Sequence, residues 1–297
     1  MSTTTLPDQT AARLQSPPTQ PRRRWRLRVR GNELALAGAV ILICLVLVAI
    51  FAPLLTPYDP VKLSLASRLR PPSLEHPLGT DEFGRDFLAR VLYGSRISLL
   101  IVVTVIGLAG SVGVTLGAFG GYRGGRWDDG VMRTADVFMA FPDLVLAMAL
   151  SAALGADLRS AIIAVAIVSW PTYARLVRGQ MLTLKHEAFV EAARASGASE
   201  GRIILRHLLP NTLSPLLVRM TTDAGYAILY AASLGFIGLG AQEPLPEWGR
   251  MVATGRAFMI DQWWYPFAPG MAIFLAVLGF TWFGDGLRDW LDPRLQK

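Results

Sequence analysis

Three histidines (His76, His186 and His207) and one cysteine, Cys44, supply the imidazole and thiol groups of this 297-residue chain. The histidines fall in different segments, and none has a carboxylate or second His at ligand spacing, so no metal site is expected. Cys44 lies inside an apolar run and can form neither an intrachain disulfide nor a thiolate cluster. No Gly-x-Ser-x-Gly or Cys–His arrangement points to covalent catalysis; no catalytic residue is expected, and the chain does not read as an enzyme. A phosphate-cradling loop needs Gly-Lys-Ser/Thr, yet the lysines are Lys62, Lys185 and Lys297, and none follows a glycine. The chain therefore carries no cofactor site of its own in this reading, and any ATP and Mg that drive it bind to another polypeptide. The carboxylates say more. Asp223 sits near the middle of an apolar run over 213–235, where a charge is costly unless it faces a cavity or a partner. It either lines a pathway and meets a substrate amine, or is neutral or hydrogen-bonded to Thr221, Thr222 or a neighbouring helix. Asp136 and Asp143, in the run 135–155, are placed nearer an interface.

A second chemistry-bearing stretch is polar, EAFVEAARASGASEGRIILRHLLPN at 187–211. Residues 187–196 are rich in Ala, Glu and Arg and predict a helix. Gly197 can take the left-handed conformation that ends it. Ser199 then caps a second helix over 200–209, with Glu200 in its first turn, and Pro210 is expected to stop that helix. A polar helical hairpin between two apolar runs cannot lie in hydrocarbon; it must sit on the membrane surface and meet something there.

The elements that position these groups are membrane spans. The chain is 52% hydrophobic and 17% charged, with a mean hydropathy of +0.39, against about a quarter charged residues in soluble domains. The net charge of +7 comes largely from Arg beside apolar runs, which fits membrane orientation rather than nucleic-acid binding. Residues 1–21 read as a disordered tail, followed by a basic cluster from Arg22 to Arg30. Apolar runs at 34–55, 97–119, 135–155, 160–178, 213–235 and 266–283 predict six spans, the first uncleaved. With both termini inside, 20 Lys/Arg fall on the cytoplasmic side and 9 outside, the positive-inside bias. The hairpin then faces the cytoplasm. Within the outer loop, Asp86 to Ser95 predicts a helix lying on the membrane interface. Ala109, Gly113, Gly117 and Gly121 recur every fourth residue, a stripe for close helix packing, and Gly235, Gly238 and Gly240 are read likewise. Pro142 and Pro171 are expected to kink or interrupt their helices, as hinges or as static bends.

Glu191-Ala192-Ala193, Gly197 and Leu209-Pro210-Asn211 place seven fixed positions over twenty-one residues. They resemble the EAA loop of ABC importer membrane subunits. His207 stands where that pattern has a hydrophobic residue, as in the peptide/nickel branch. HPLGTDEFGRDFLARVLYGSRISL at 76–99, SLGFIGLGAQEPLPEWGRM at 233–251 and GDGLRDWLDPRL at 284–295 are also similar to the dipeptide/oligopeptide/nickel permeases. One departure concerns the ligand: relatives with Glu before Ala-Ser-Leu-Ser are matched here by Ala231-Ala232-Ser233-Leu234-Gly235.

The resemblance implies an all-α type I ABC importer permease with six transmembrane helices and cytoplasmic N and C termini, in a bacterial inner membrane. Its parts would be a basic cytoplasmic tail at 1–30, a first helix and extracytoplasmic loop at 31–95, and a core at 96–297 that includes the coupling loop 187–211. It implies a second related permease, two ATPase subunits that bind ATP and Mg, and an extracytoplasmic binding protein. The ligand would be a small peptide first, with nickel complexes or glutathione as the other possibilities. Glu191, Ala192, Ala193, Gly197, Leu209, Pro210 and Asn211 would couple to the ATPase, and Asp223 would line the substrate pathway. The rival class is a self-sufficient secondary transporter or channel, coupled to an ion gradient through Asp223.

Overall fold

The structure, a computed structural model, describes residues 33–291. The expected tail at 1–30 and the last residues of the 284–295 motif lie outside them. The described residues are helical, without a strand: α1 (Glu33–Leu55), α2 (Phe87–Arg123), α3 (Gly125–Met139), α4 (Asp143–Leu154), α5 (Leu158–Leu184), α6 (Ala188–Ala195), α7 (Glu200–Ile203), α8 (Leu209–Ile237), α9 (Trp248–Gly255) and α10 (Trp264–Leu291). Four of these helices, α1, α2, α5 and α10, are each long and apolar enough to cross a membrane, and α3 with α4 makes a fifth candidate bent by 92°.

The small-residue stripe holds the centre together. A Cβ on Gly113 would stand 2.5 Å from the Trp170 carbonyl oxygen, and one on Gly117 would stand 2.3 Å from that of Ala174. Gly121 meets Met181 and Arg178 in the same way. The backbones of α2 and α5 thus touch, and hydrocarbon-exposed helices gain dispersion contacts they could not gain from burial alone. α1 leans on α10 by the same device, Gly38 against Phe283 and Gly279 against Ile41 and Leu42.

The interruption expected at Pro142 is present, while three other expectations are corrected. The segment 135–155 breaks at Ala140–Pro142, between α3 and α4. Pro142 accounts for this, since it disfavours helix in the residue before it. Pro171, by contrast, does not interrupt α5, which runs through it; the close fit of α2 holds that helix on both sides of the missing bond. The segment 86–95 is no interfacial helix but the first turns of α2, with Phe87, Ala89, Arg90, Gly94 and Ser95 buried. Its Phe87 ring meets Tyr265 edge-on at 4.4 Å. Finally, Pro210 does not stop the helix begun at Glu200. A π turn at Ile204–Leu208 precedes it, closed by the Leu209 N–H donating to the Ile204 carbonyl, and α8 continues without a gap. Proline lacks an N–H and crowds the carbonyl four residues back. A widened turn beside it and a place in the first turn of α8 remove both conflicts.

Candidate functional site

The polar hairpin forms as its residues dictate. α6 ends with Gly197 at φ +79°, where a side chain would be strained. The Ala198 N–H reaches back to the Ala193 carbonyl at 3.1 Å and the Gly197 N–H to that of Arg194 at 3.0 Å. This paired closure is a Schellman turn. Ser199 stands at the N-cap of α7 as expected, although its side chain makes no capping bond. Val190, Ile203, Ile204 and Leu208 are buried in one cluster with Val177 and Met181 of α5, and Ala193 and Leu209 pack against it. Glu191, Ala192, Gly197, Pro210 and Asn211 remain exposed. So the two alanines divide: Ala193 seats the hairpin while Ala192 is exposed, as are Phe189 and Leu205 of the same hairpin. Asn211 Nδ2 donates to the His207 carbonyl at 2.6 Å. Lys185 Nζ donates to the Gly121 carbonyl at 3.2 Å, and Arg123 pairs with Glu200 at 3.3 Å, tying the hairpin to the end of α2.

A polar cavity of about 410 Å³ opens at mid-bundle, lined by Asp143, Ser169, Thr172, Arg219, Asp223 and Tyr230 among others. Asp223 is the fifteenth of the 29 residues of α8, and Ser169 the twelfth of the 27 of α5. Both therefore lie near the middle of their helices. Asp223 Oδ2 accepts from Arg219 Nε at 2.9 Å, one helical turn away. That partner stands at i, i+4 spacing, in place of the expected Thr221, Thr222 or a neighbouring helix. Thr221 and Thr222 hydroxyls instead donate to backbone carbonyls of their own helix. Asp143 enters the same cavity at the start of α4, because the break at Pro142 turns the chain there. Asp136 does not; it pairs with Arg175.

The loop before α2 holds a buried ionic knot. Arg85 Nε donates to Asp81 at 2.5 Å and its Nη1 to Glu243 at 2.6 Å. Arg90 reaches Glu243 at 3.2 Å and Asp81 at 3.4 Å. Asp81 is fully buried, while Arg85 and Arg90 are 2% and 1% exposed. Burial holds the Glu82 carboxyl above its usual range, and Tyr265 donates to it. The glycines of the 76–99 motif make the turn possible: Gly84, at φ +73°, leaves a Cβ only 1.8 Å from the Ser64 carbonyl oxygen. His76 is paired after all, contrary to expectation. Its Nδ1 lies 2.8 Å from Asp86 Oδ2, while Asp86 Oδ1 caps α2 at Ala89. Ten residues of folded loop bring the two together, and no sequence spacing for metal ligands describes that. Among the described residues, no three His, Cys, Asp or Glu side chains converge as a metal site.

Comparison with known proteins identifies the architecture. Residues 113–297 match the family described as "Binding-protein-dependent transport system inner membrane component", and residues 20–72 match the "N-terminal TM domain of oligopeptide transport permease C". The chain is 50% identical over 270 residues to a probable D,D-dipeptide transport system permease protein, DdpC, of Escherichia coli K12, covering 91% of this chain and 90% of that one. It is 46% identical over 277 residues to the dipeptide transport system permease protein DppC of Alkalihalophilus pseudofirmus, covering 92% and 91%. It is also 46% identical over 273 residues to the glutathione transport system permease protein GsiD of Escherichia coli O6:K15:H31, covering 92% and 90%. These matches do not favour the self-sufficient secondary carrier. The chain belongs to the family of binding-protein-dependent transport system inner membrane components, and is a transport permease of that membrane, not an enzyme.

Proposed function

We propose that this chain is one of two related permeases in an ATP-driven importer of small peptides, which a binding protein delivers at the outer face. In this reading the chain crosses the membrane six times, with α3 and α4 forming one broken span. α8 is the fifth in chain order, with Arg219, Thr222 and Asp223 turned to the cavity rather than to lipid. Both termini and the hairpin face the cytoplasm, as the Lys/Arg bias supports. Two ATPase subunits bind ATP and Mg. Relatives named for dipeptides support a peptide ligand, and the glutathione permease among them is consistent with it, since glutathione is itself peptide-like.

One observation carries the coupling role: the hairpin is exposed on one side and rigidly continuous with a cavity-lining helix on the other. Phe189, Glu191, Ala192 and Leu205 offer a small outward surface with one carboxylate, suited to a groove on an ATPase and to charge-assisted bonds there. Leu209, Pro210 and Asn211 carry the motion on. When ATP draws the ATPases together, a displacement of α6 and α7 passes through the π turn into α8, and so to Arg219 and Asp223. Glu191→Lys and Gly197→Asp are expected to leave the assembled complex in the membrane and hydrolysing ATP, while binding-protein-dependent uptake falls at least tenfold. Uptake at the wild-type rate in both variants would overturn the coupling role.

A further inference from the structure

We infer that the mid-bundle cavity is a binding site for the two charged ends of a zwitterionic ligand, with Asp143 receiving the ammonium and Arg219 the carboxylate. This deepens the proposed peptide transport and rests on it for the ligand's class. Asp223 then acts as a positioning residue and is not the amine acceptor.

The charge arrangement leads there. Three charged side chains line the cavity: Asp143, Asp223 and Arg219. Arg219 and Asp223 satisfy each other through Nε and Oδ2 at 2.9 Å, and the Asp223 side chain is only 12% exposed. That bond uses the Nε edge of the guanidinium, so the two Nη nitrogens of the fork remain for a planar carboxylate. Asp143 has no cation within ion-pair distance among the described residues. Its nearest polar contact is the Tyr230 hydroxyl, at 3.4 Å a long hydrogen bond. One carboxylate, exposed to the cavity at the start of α4, is thus left without a cationic partner beside the mid-helix residues Ser169 and Asp223, and a cationic ligand would supply one.

The geometry of the chain serves such a site. Asp143 opens α4 just after the 92° break, and broken membrane helices place polar groups at depth where they face a cavity. Ser169 and Thr172 add hydroxyls to the lining, while Val105, Ile106 and Ala227 keep part of the wall apolar. The volume is that of a small-molecule pocket. A larger hollow of about 450 Å³, lined by Leu144, Leu229, Phe236 and Ile273, has no charged group and offers nothing to a zwitterion.

Thiol labelling tests the site apart from transport. Thr172→Cys is introduced with Cys44→Ser into the complete importer, and is labelled with a cationic and an anionic thiosulfonate. Asp143→Asn should lower the cationic-to-anionic rate ratio about tenfold, and Arg219→Gln should raise it. Alanyl-alanine should slow labelling in the parent and not in Asp143→Asn. In proteoliposomes served by the same loaded binding protein, Asp143→Asn should cut alanyl-alanine uptake about tenfold, with Asp143→Glu recovering most of it. An unchanged labelling ratio, or Asp143→Asn uptake equal to the parent's, would overturn the assignment. Because labelling needs no uptake, a parent complex that shows the expected ratios yet moves no dipeptide would overturn peptide transport alone.

Discussion

The carboxylate of Glu247 occupies the space where a side chain at position 235 would stand: a Cβ on Gly235 would lie 2.2 Å from Glu247 Oε2. Glu247 is 3% exposed and caps α9, accepting from the Gly249 and Arg250 N–H groups at 2.7 Å each. Gly235 therefore has a local reason. It makes room for a buried cap supplied from beyond the end of α8.

Gly235→Ser should accordingly displace that cap. The expected cost is about 1–3 kcal/mol for the overpacking, plus about 1 kcal/mol for a weakened cap, read as a lower melting temperature of the detergent-solubilised complex. Glu247→Ala should make the serine far less harmful, because the clash has gone. Equal effects of Gly235→Ser in the two backgrounds would contradict this packing.

The same carboxyl sets a pH dependence. Burial pushes Glu247 up from 4.5 to about 7, against the opposing pull of the two N–H bonds and Arg250. A carboxyl raised on folding binds its proton more tightly in the native state. Its contribution to stability is therefore full below pH 4.5, declines as pH rises through about 7, and is then constant. The span amounts to about 3 kcal/mol. Glu82 is shifted in the same direction by burial and adds to the slope, so the difference between wild type and Glu247→Gln isolates this residue. Melting temperatures between pH 4.5 and 8 should fall less steeply in Glu247→Gln; parallel profiles would refute the assignment.

Arg85 is the centre of the buried ionic knot, bonded to Asp81 and Glu243 at once. Arg85→Met should cost about 3 kcal/mol, because it leaves the fully buried Asp81 carboxylate with only the longer Arg90 contact at 3.4 Å as its cation. Asp81→Asn removes that charge, yet its side-chain oxygen can still accept from the Phe83 and Arg85 N–H groups. The double variant should therefore be more stable than Arg85→Met alone. A single variant within about 1 kcal/mol of wild type would show the knot to be energetically idle.

The hairpin was legible because its signals are local. A glycine at φ +79° and two short helices follow from residue types a few positions apart. Asp223 stood out for a similar reason, as a charge in an apolar run. Pro210 misled because proline's missing N–H predicts a stop, while the π turn that absorbs it depends on Ile204 and Leu208 being buried against α5. The motif at 79–86 carried no readable mechanism, since its partners come from far along the chain. Arg85 finds Glu243 158 residues away.

Sequence alone thus determined the helical, membrane-embedded class, the family, the polar hairpin and a carboxylate at depth. The class and the carboxylate follow from composition, the hairpin from signals a few residues apart, and the family from a motif resemblance spread over residues 191–211. Tertiary structure decided which charges meet. It turned Asp143 into the cavity at a broken helix, gave Asp223 to Arg219, paired His76 with Asp86, and closed the Asp81–Arg85–Arg90–Glu243 knot. A charge taken out of water must find its counterpart wherever packing brings one, and packing is settled by the contact of whole helices, as where Gly117 lets α2 lie on the backbone of Ala174.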